Sequence, residues 1–199
     1  RPFAELGVSA ESGFVIEFQA KPTPSTQWAR FFDISDGTTD WYIFLNSGST
    51  GYTSSAFRLA AKDGASEATS GTIPSVSTYF NKWHNFKVVV ASGGNASLSI
   101  DAQEVVTLAD QVKFENVLER IAADEFDTFY LGASVWGSSD GYFKGSMRNL
   151  VIIGDTSGKR KQILTLDAQG GEGGSARVLA TVGKVLPEIE PPTWGGRTF

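Results

Sequence analysis

Apolar residues recur at every second position along much of this chain, and that period restricts it to β-strands before anything else is known. In Phe14-Val15-Ile16-Glu17-Phe18-Gln19, Phe14, Ile16 and Phe18 share one face, with Glu17 and Gln19 opposite. Phe57 and Leu59 stand against Arg58 in the same way, and Phe86-Lys87-Val88-Val89-Val90 and Leu98-Ser99-Ile100 follow. The runs over 28–34 and 41–45 are denser, as in strands covered on both faces. Clusters of Ser, Gly, Thr, Asn and Asp over 35–37, 46–55, 62–71 and 92–95 separate them. Short strands punctuated by such turns predict a sandwich or barrel.

One stretch follows another period. Phe114, Val117, Leu118 and Ile121 recur at helical spacing, which predicts a single short helix over 111–123. Two further strands are expected over 162–166 and 176–185, joined by a Gly-rich link at 169–174. The segment 187–199, PEIEPPTWGGRTF, holds three prolines and two glycines, a composition that excludes a helix or a central strand. The expected division is therefore a sandwich over 1–186 and an extended C-terminal arm over 187–199.

Composition narrows the chemistry. Lys and Arg number 17 against 22 Asp and Glu, a net charge of −5, which leaves no basic excess for binding nucleic-acid phosphates. Zero cysteines exclude disulfides and thiolate zinc sites, and a single histidine, His84, excludes multi-histidine centres. The longest apolar run, 150–154, is far short of the roughly 20 residues a membrane span needs. The first residue is Arg1 and the one methionine is Met147, from which a processed or excised product is expected.

The order and spacing of several segments resemble a known family. FVIEFQAKP from Phe14, the runs around Trp28 and Trp41, and SSAFRLAAKDG resemble the opening strands of concanavalin A-like, laminin G-like domains. KWHNFKVVV, SLSIDAQEV, FYLGAS and FKGSMRNLVI resemble the segments that close that fold, so the resemblance covers about residues 10–154. It implies an all-β, jelly-roll sandwich of two antiparallel sheets, carrying here one short helix and the C-terminal arm. Trp83, Phe86, Val88, Leu98, Ile100, Phe129, Leu131, Phe143, Met147 and Val151 are the expected core, and Gly145 is expected mid-strand where a close approach or bulge needs no side chain. Many members have a cysteine where Ser146 stands, so the implied disulfide is missing.

The resemblance brings three chemistries to weigh. Glycosidases of this fold carry a strand with spaced acids, and Glu125 and Asp127 match its first half, but Phe129 and Tyr130 occupy the positions where a third acid would follow. The same EFDTF letters resemble the metal strand of legume lectins, but Leu131, Trp136 and Gly141 stand at the offsets of its further ligands, which leaves 124–128 as a turn entering a strand. Laminin G-like domains often hold one rim calcium, for which Asp36, Asp40 and Asp140 are the candidates; no other cofactor is expected.

For a glycan, the ligand candidates are Trp136, Asp140 and Trp41, with Trp136 set among Gly and Ser where a ring can stack on a sugar. For a protein partner they are Trp194, Pro191, Pro192 and Phe199 on the arm. Asn95 heads an Asn-Ala-Ser glycosylation sequon, while His84 and the basic run 159–161 read as structural and solvated. The expected function is a non-catalytic binding domain, an accessory subunit of a larger assembly. The alternative is a lectin-like carbohydrate-binding module, and the remote one a glycoside hydrolase. An extracellular, cell-surface or organelle-lumen setting is expected.

Overall fold

A computed structural model describes residues 3, 6–24, 28–47, 57–69, 73, 76–107, 111–126, 128–154, 161–165, 177–181, 193–194 and 197–198. The chain divides into two compact units, Arg1–Thr156 and Ser157–Phe199. Among the described residues no helix is long and apolar enough to cross a membrane.

The first unit holds β1 (Phe14–Pro22), β2 (Arg30–Ser35), β3 (Trp41–Asn46), β4 (Arg58–Asp63), β5 (Glu67–Thr69), β6 (His84–Val90), β7 (Ala96–Ile100), β8 (Gln103–Thr107), α1 (Gln111–Ala122), β9 (Thr128–Leu131) and β10 (Gly145–Ile153). They form two antiparallel five-stranded sheets, ordered β10-β1-β6-β7-β8 and β5-β4-β3-β2-β9. This is the jelly-roll sandwich that the resemblance implies, and one of the two architectures, sandwich or barrel, that the alternation predicts. Its core lies between the inner faces, where Phe14, Ile16, Phe18, Phe86, Val88 and Leu98 of one sheet meet Phe31, Phe32, Ile34, Ile43 and Leu59 of the other. Rings carry much of the contact: Phe18 stacks on Phe86 at 5.1 Å, and Phe31 lies 4.9 Å from Phe86 and 5.3 Å from Phe57. Each such pair adds about 0.5–1.5 kcal/mol beyond its area burial. With no cysteine in the chain, no disulfide assists this aromatic centre. Helix α1 buries Phe114, Val117, Leu118 and Ile121, the four residues whose spacing predicts it.

Three residues expected in the core are on the surface: Trp83, Leu131 and Val151 are 41%, 50% and 47% exposed. Trp83 precedes β6 and stacks under the Arg148 guanidinium at 4.1 Å, and Leu131 ends β9 at the sheet edge. Val151 is turned outward by a bulge. Met147 pairs with Ala20 and Ile152 with Ile16, both inward, and the odd spacing between them is absorbed at Asn149, whose φ is 56°. Alternation counted from Met147 therefore puts Val151 on the wrong face. Gly145 opens β10 instead of lying within it. Its φ is 139°, and a Cβ there would meet the Lys21 carbonyl oxygen at 2.3 Å.

In the second unit, β11 (Lys161–Thr165) pairs antiparallel with β12 (Arg177–Thr181), close to the two strands expected there. Within the arm, β13 (Thr193–Trp194) pairs with β14 (Arg197–Thr198) around a Gly-Gly sequence suited to a two-residue hairpin. Pro191, Pro192 and Phe199 lie outside the described residues.

Candidate functional site

The site begins with a bulge in β2. Arg30 pairs with Asn46 and Phe32 with Leu45, so Phe31 is an extra residue. Phe31 and Phe32 both enter the core, and Arg30 and Asp33 emerge together on the outer face of the second sheet. In a regular strand that odd spacing would part them. On the same face Tyr42, Phe44 and Ala60 make a small buried cluster of their own, with Val135 packed against it. A sheet face normally left to solvent is thus covered and partly apolar.

Two arginines cross this cluster. The Arg30 guanidinium lies 3.9 Å from the Phe44 ring centre, gives Nη1 to Asp33 and reaches Asp140 from Nη2 at 3.0 Å. Asp33 also accepts the Val135 N–H at 3.0 Å. Ser134 Oγ donates to Asp140 at 2.6 Å and accepts the Trp136 N–H at 3.0 Å, so the loop over 134–140 is tied to the sheet through buried charge. Arg58, paired with Glu67, lies 5.6 Å from the Trp28 ring, and Tyr42 Oη donates to Glu67 at 2.7 Å. Trp28 holds a φ of 56°, a strain of about 1–3 kcal/mol for a bulky residue and a feature that gathers at binding sites.

Trp28, Arg30, Tyr42, Phe44, Arg58, Glu67, Trp136 and Asp140 line one cavity of about 260 Å³. That is just under the roughly 300–1,000 Å³ of drug-sized sites, room for a single sugar ring. Burial pushes the Asp33 carboxyl above the usual range, opposed by the Arg30 charge and the Val135 N–H. Burial likewise raises the Tyr42 hydroxyl against the pull of Arg30 and Arg58. Arg30 Nε, Asp33 Oδ1 and both amide atoms of Asn46 are buried without a hydrogen bond. Such orphaned groups cost stability, and they sit beside the cavity in strand register.

Of the residues singled out in the sequence, Trp136 and Asp140 meet in this cavity. Trp136 is 42% exposed and immediately precedes the 3-10 turn Gly137–Ser139. Trp41 is elsewhere, partly buried against the core with the Arg120 guanidinium 4.2 Å from its ring. The three aspartates considered for calcium do not meet. Asp36 accepts from Thr38 at 2.9 and 2.6 Å and faces Arg120 at 3.4 Å, and Asp40 takes Lys62 at 2.7 Å. Asp140 is bound to Arg30 at the other end of β2, about 20 Å along the strand. Among the described residues no group of three or more His, Cys, Asp or Glu side chains could hold a metal ion.

Glu125 is exposed, accepts Arg120 Nε at 2.6 Å and is not among the cavity residues; Asp127 lies outside the described residues. His84 Nδ1 contacts Asp101 at 2.6 Å, an acidic neighbour that folding supplies. Asn95 is exposed after the turn at 92–94, its Oδ1 accepting Gln111 Nε2 at 2.6 Å. Trp28, Arg30, Tyr42, Phe44, Arg58 and Glu67 escaped the sequence reading. Their one signal was the density of the runs over 28–34 and 41–45, which reads as strands covered on both faces, as β2 and β3 are, but does not say by what.

A wider trough of about 600 Å³ crosses the outer face of the first sheet, lined in part by Gln19, Asn85, Lys87, Asn149 and Val151. Its polar groups bond one another: Arg148 donates to Gln19 at 2.8 Å and Gln19 to Asn85 at 2.8 Å. No exposed ring lines it, so the smaller cavity combines shape and chemistry better.

Residues 3–157 match a laminin G-type family model described as the concanavalin A-like lectin/glucanases superfamily. No curated protein matches the chain. Among solved structures it is similar to domain 4 of an extracellular arabinanase from Geobacillus stearothermophilus in complex with arabinotriose. Identity is 17% and the TM-score 0.52, over 73% of this chain and 62% of that one. It is also similar to the CBM40 of the Ruminococcus gnavus IT-sialidase bound to alpha2,6 sialyllactose. There identity is 13% and the TM-score 0.54, over 76% of this chain and 80% of that one. At these identities the likeness is one of fold.

Proposed function

Because this chain belongs to the concanavalin A-like lectin/glucanase superfamily, through a laminin G-type domain over residues 3–157, we propose that it is a non-catalytic binding domain whose cavity between Trp28 and Trp136 takes one sugar residue of a glycan. The observation that carries this reading is the joining of accessible tryptophan with fixed hydrogen-bonding groups in a space of single-ring size. Trp136 stacks on the ring, and Tyr42, Glu67 and Asp140 meet its hydroxyls. The sugar-bound arabinanase domain and sialidase module lend support from the fold alone. The carboxylates lining the cavity, Glu67 and Asp140, are each held by an arginine. That suits them to accept hydroxyl hydrogens, whereas hydrolysis needs a carboxyl free to donate a proton. Binding in this reading is independent of calcium, and the setting is the cell exterior, a cell surface or an organelle lumen, where glycans are displayed.

The test is a glycan array with the parent and Trp136→Ala. The expected result is a signal that persists in EDTA and falls about tenfold or more in the variant, the loss typical of an aromatic anchor, with circular dichroism unchanged. A blank array for the parent would sink the reading.

A second reading, an accessory subunit that grips protein partners, rests on the arm. Trp194 there lies on β13, which pairs with β14, and tryptophan is a common anchor of protein interfaces.

A further inference from the structure

The cavity's charges bear on which sugars it admits, and this step rests on the glycan reading above. A carboxylate-bearing sugar is best recognised by a guanidinium offering two parallel N–H donors. Both cavity guanidiniums are already taken by the protein's own carboxylates. Arg30 holds Asp33 and, at 3.0 Å, Asp140, and Arg58 holds Glu67. Rings lie beside both, the Phe44 centre 3.9 Å from the Arg30 guanidinium, and Phe44 and Trp28 at 5.4 and 5.6 Å from that of Arg58. Two guanidiniums against three carboxylates leave no positive excess. Glu67 is the most exposed partner in these pairs, at 26%, so an entering ligand meets negative charge. An anionic group brought into this half-buried space would lie beside like charge, with no free cation among the described lining residues to answer it, which costs far more than in water.

We propose that this cavity selects neutral sugars and rejects those carrying a carboxylate, with Glu67 and Asp140 as its specificity-determining groups. Each neutralises an arginine that would otherwise bind an acidic sugar, and each offers acceptors that suit hydroxyls.

The probes are glucose- and galactose-terminated oligosaccharides, each beside the matching oligosaccharide ending in glucuronate or galacturonate, which keeps ring and size and adds only the C6 carboxylate. The parent is expected to bind the neutral member at least about tenfold more tightly. Glu67→Gln releases Arg58 and is expected to raise the uronate-to-neutral affinity ratio about tenfold. Asp140→Asn does the same through Arg30 and serves if the first variant melts early. A parent that prefers the uronate, or a ratio unmoved in both folded variants, would overturn the selectivity while leaving glycan binding in place. Binding to neither member would overturn the glycan reading and this one with it.

Discussion

Phe31 is one residue too many for the ladder between β2 and β3, and the cavity follows from it. The bulge brings Arg30 and Asp33 to one face, where Asp33 is wholly buried and joins the sheet to Val135 in the Trp136 loop. Burial raises the Asp33 carboxyl, and the Arg30 charge and the Val135 N–H oppose that rise. A raised folded-state value makes this group favour folding most below the ordinary carboxylate range, of about 3.9, an advantage lost as pH rises through the folded value. Asp33→Ala at neutral pH leaves part of a buried guanidinium and one N–H uncompensated. Urea unfolding should show a loss of about 3 kcal/mol. Glycan affinity should fall too, since the Trp136 loop loses an anchor. An unchanged unfolding midpoint would show that the buried pair contributes nothing.

At the scale of elements, α1 illustrates how a helix legible in sequence is fastened by contacts that are not. Its apolar stripe is local, but Lys113 and Asn116 also reach Asp63 of β4 at 3.1 and 2.9 Å. The helix start lies so close to the turn at 92–94 that a Cβ on Gly94 would meet the Gln111 carbonyl oxygen at 1.9 Å. Burial alone would raise the Asp63 carboxyl; the hydrogen bonds from Asn116 and Lys113 outweigh it and hold the group below the usual carboxylate range. A lowered folded-state value means stability present above about pH 3.9 and lost as pH falls through the folded value. Asp63→Asn should therefore destabilise the protein by about 1–2 kcal/mol at pH 7. That difference should shrink in thermal melts as the pH is lowered below about 3.9. A gap that stays constant across this range would rule out the ionic attachment.

For the whole molecule, the aromatic core and the cavity both lie within the first compact unit. A chain ending before Pro187 should then melt as the parent does and keep its Trp136-dependent glycan binding. If the arm grips a protein partner, the same truncation releases the chain from its complex in size-exclusion chromatography. A lower melting temperature would show that the arm stabilises the sandwich. Continued co-elution would end the second reading.

The helix and the inward residues of β1, β6 and β7 were determined by sequence alone, because each depends on a period written into a few consecutive residues, whereas β5 falls in the cluster over 62–71 that reads as a turn. Bulges reset that period without a local signal. Alternation therefore misplaced Val151 and gave no hint that Arg30 and Asp33 share a face. Trp136 and Asp140 were legible as ring and acid in a Gly/Ser loop, but their partners were not. Asp33 meets Val135 across 102 positions of chain and Tyr42 meets Glu67 across 25. Arg58, set against Phe57 and Leu59, reads as solvated until cross-strand register sets a ring beneath it and a carboxylate beside it. Sequence determined that this chain would bury two aromatic sheet faces against each other. Tertiary structure decided where charge and tryptophan meet, because long-range pairing, unlike periodicity, is a property of the assembled sheets.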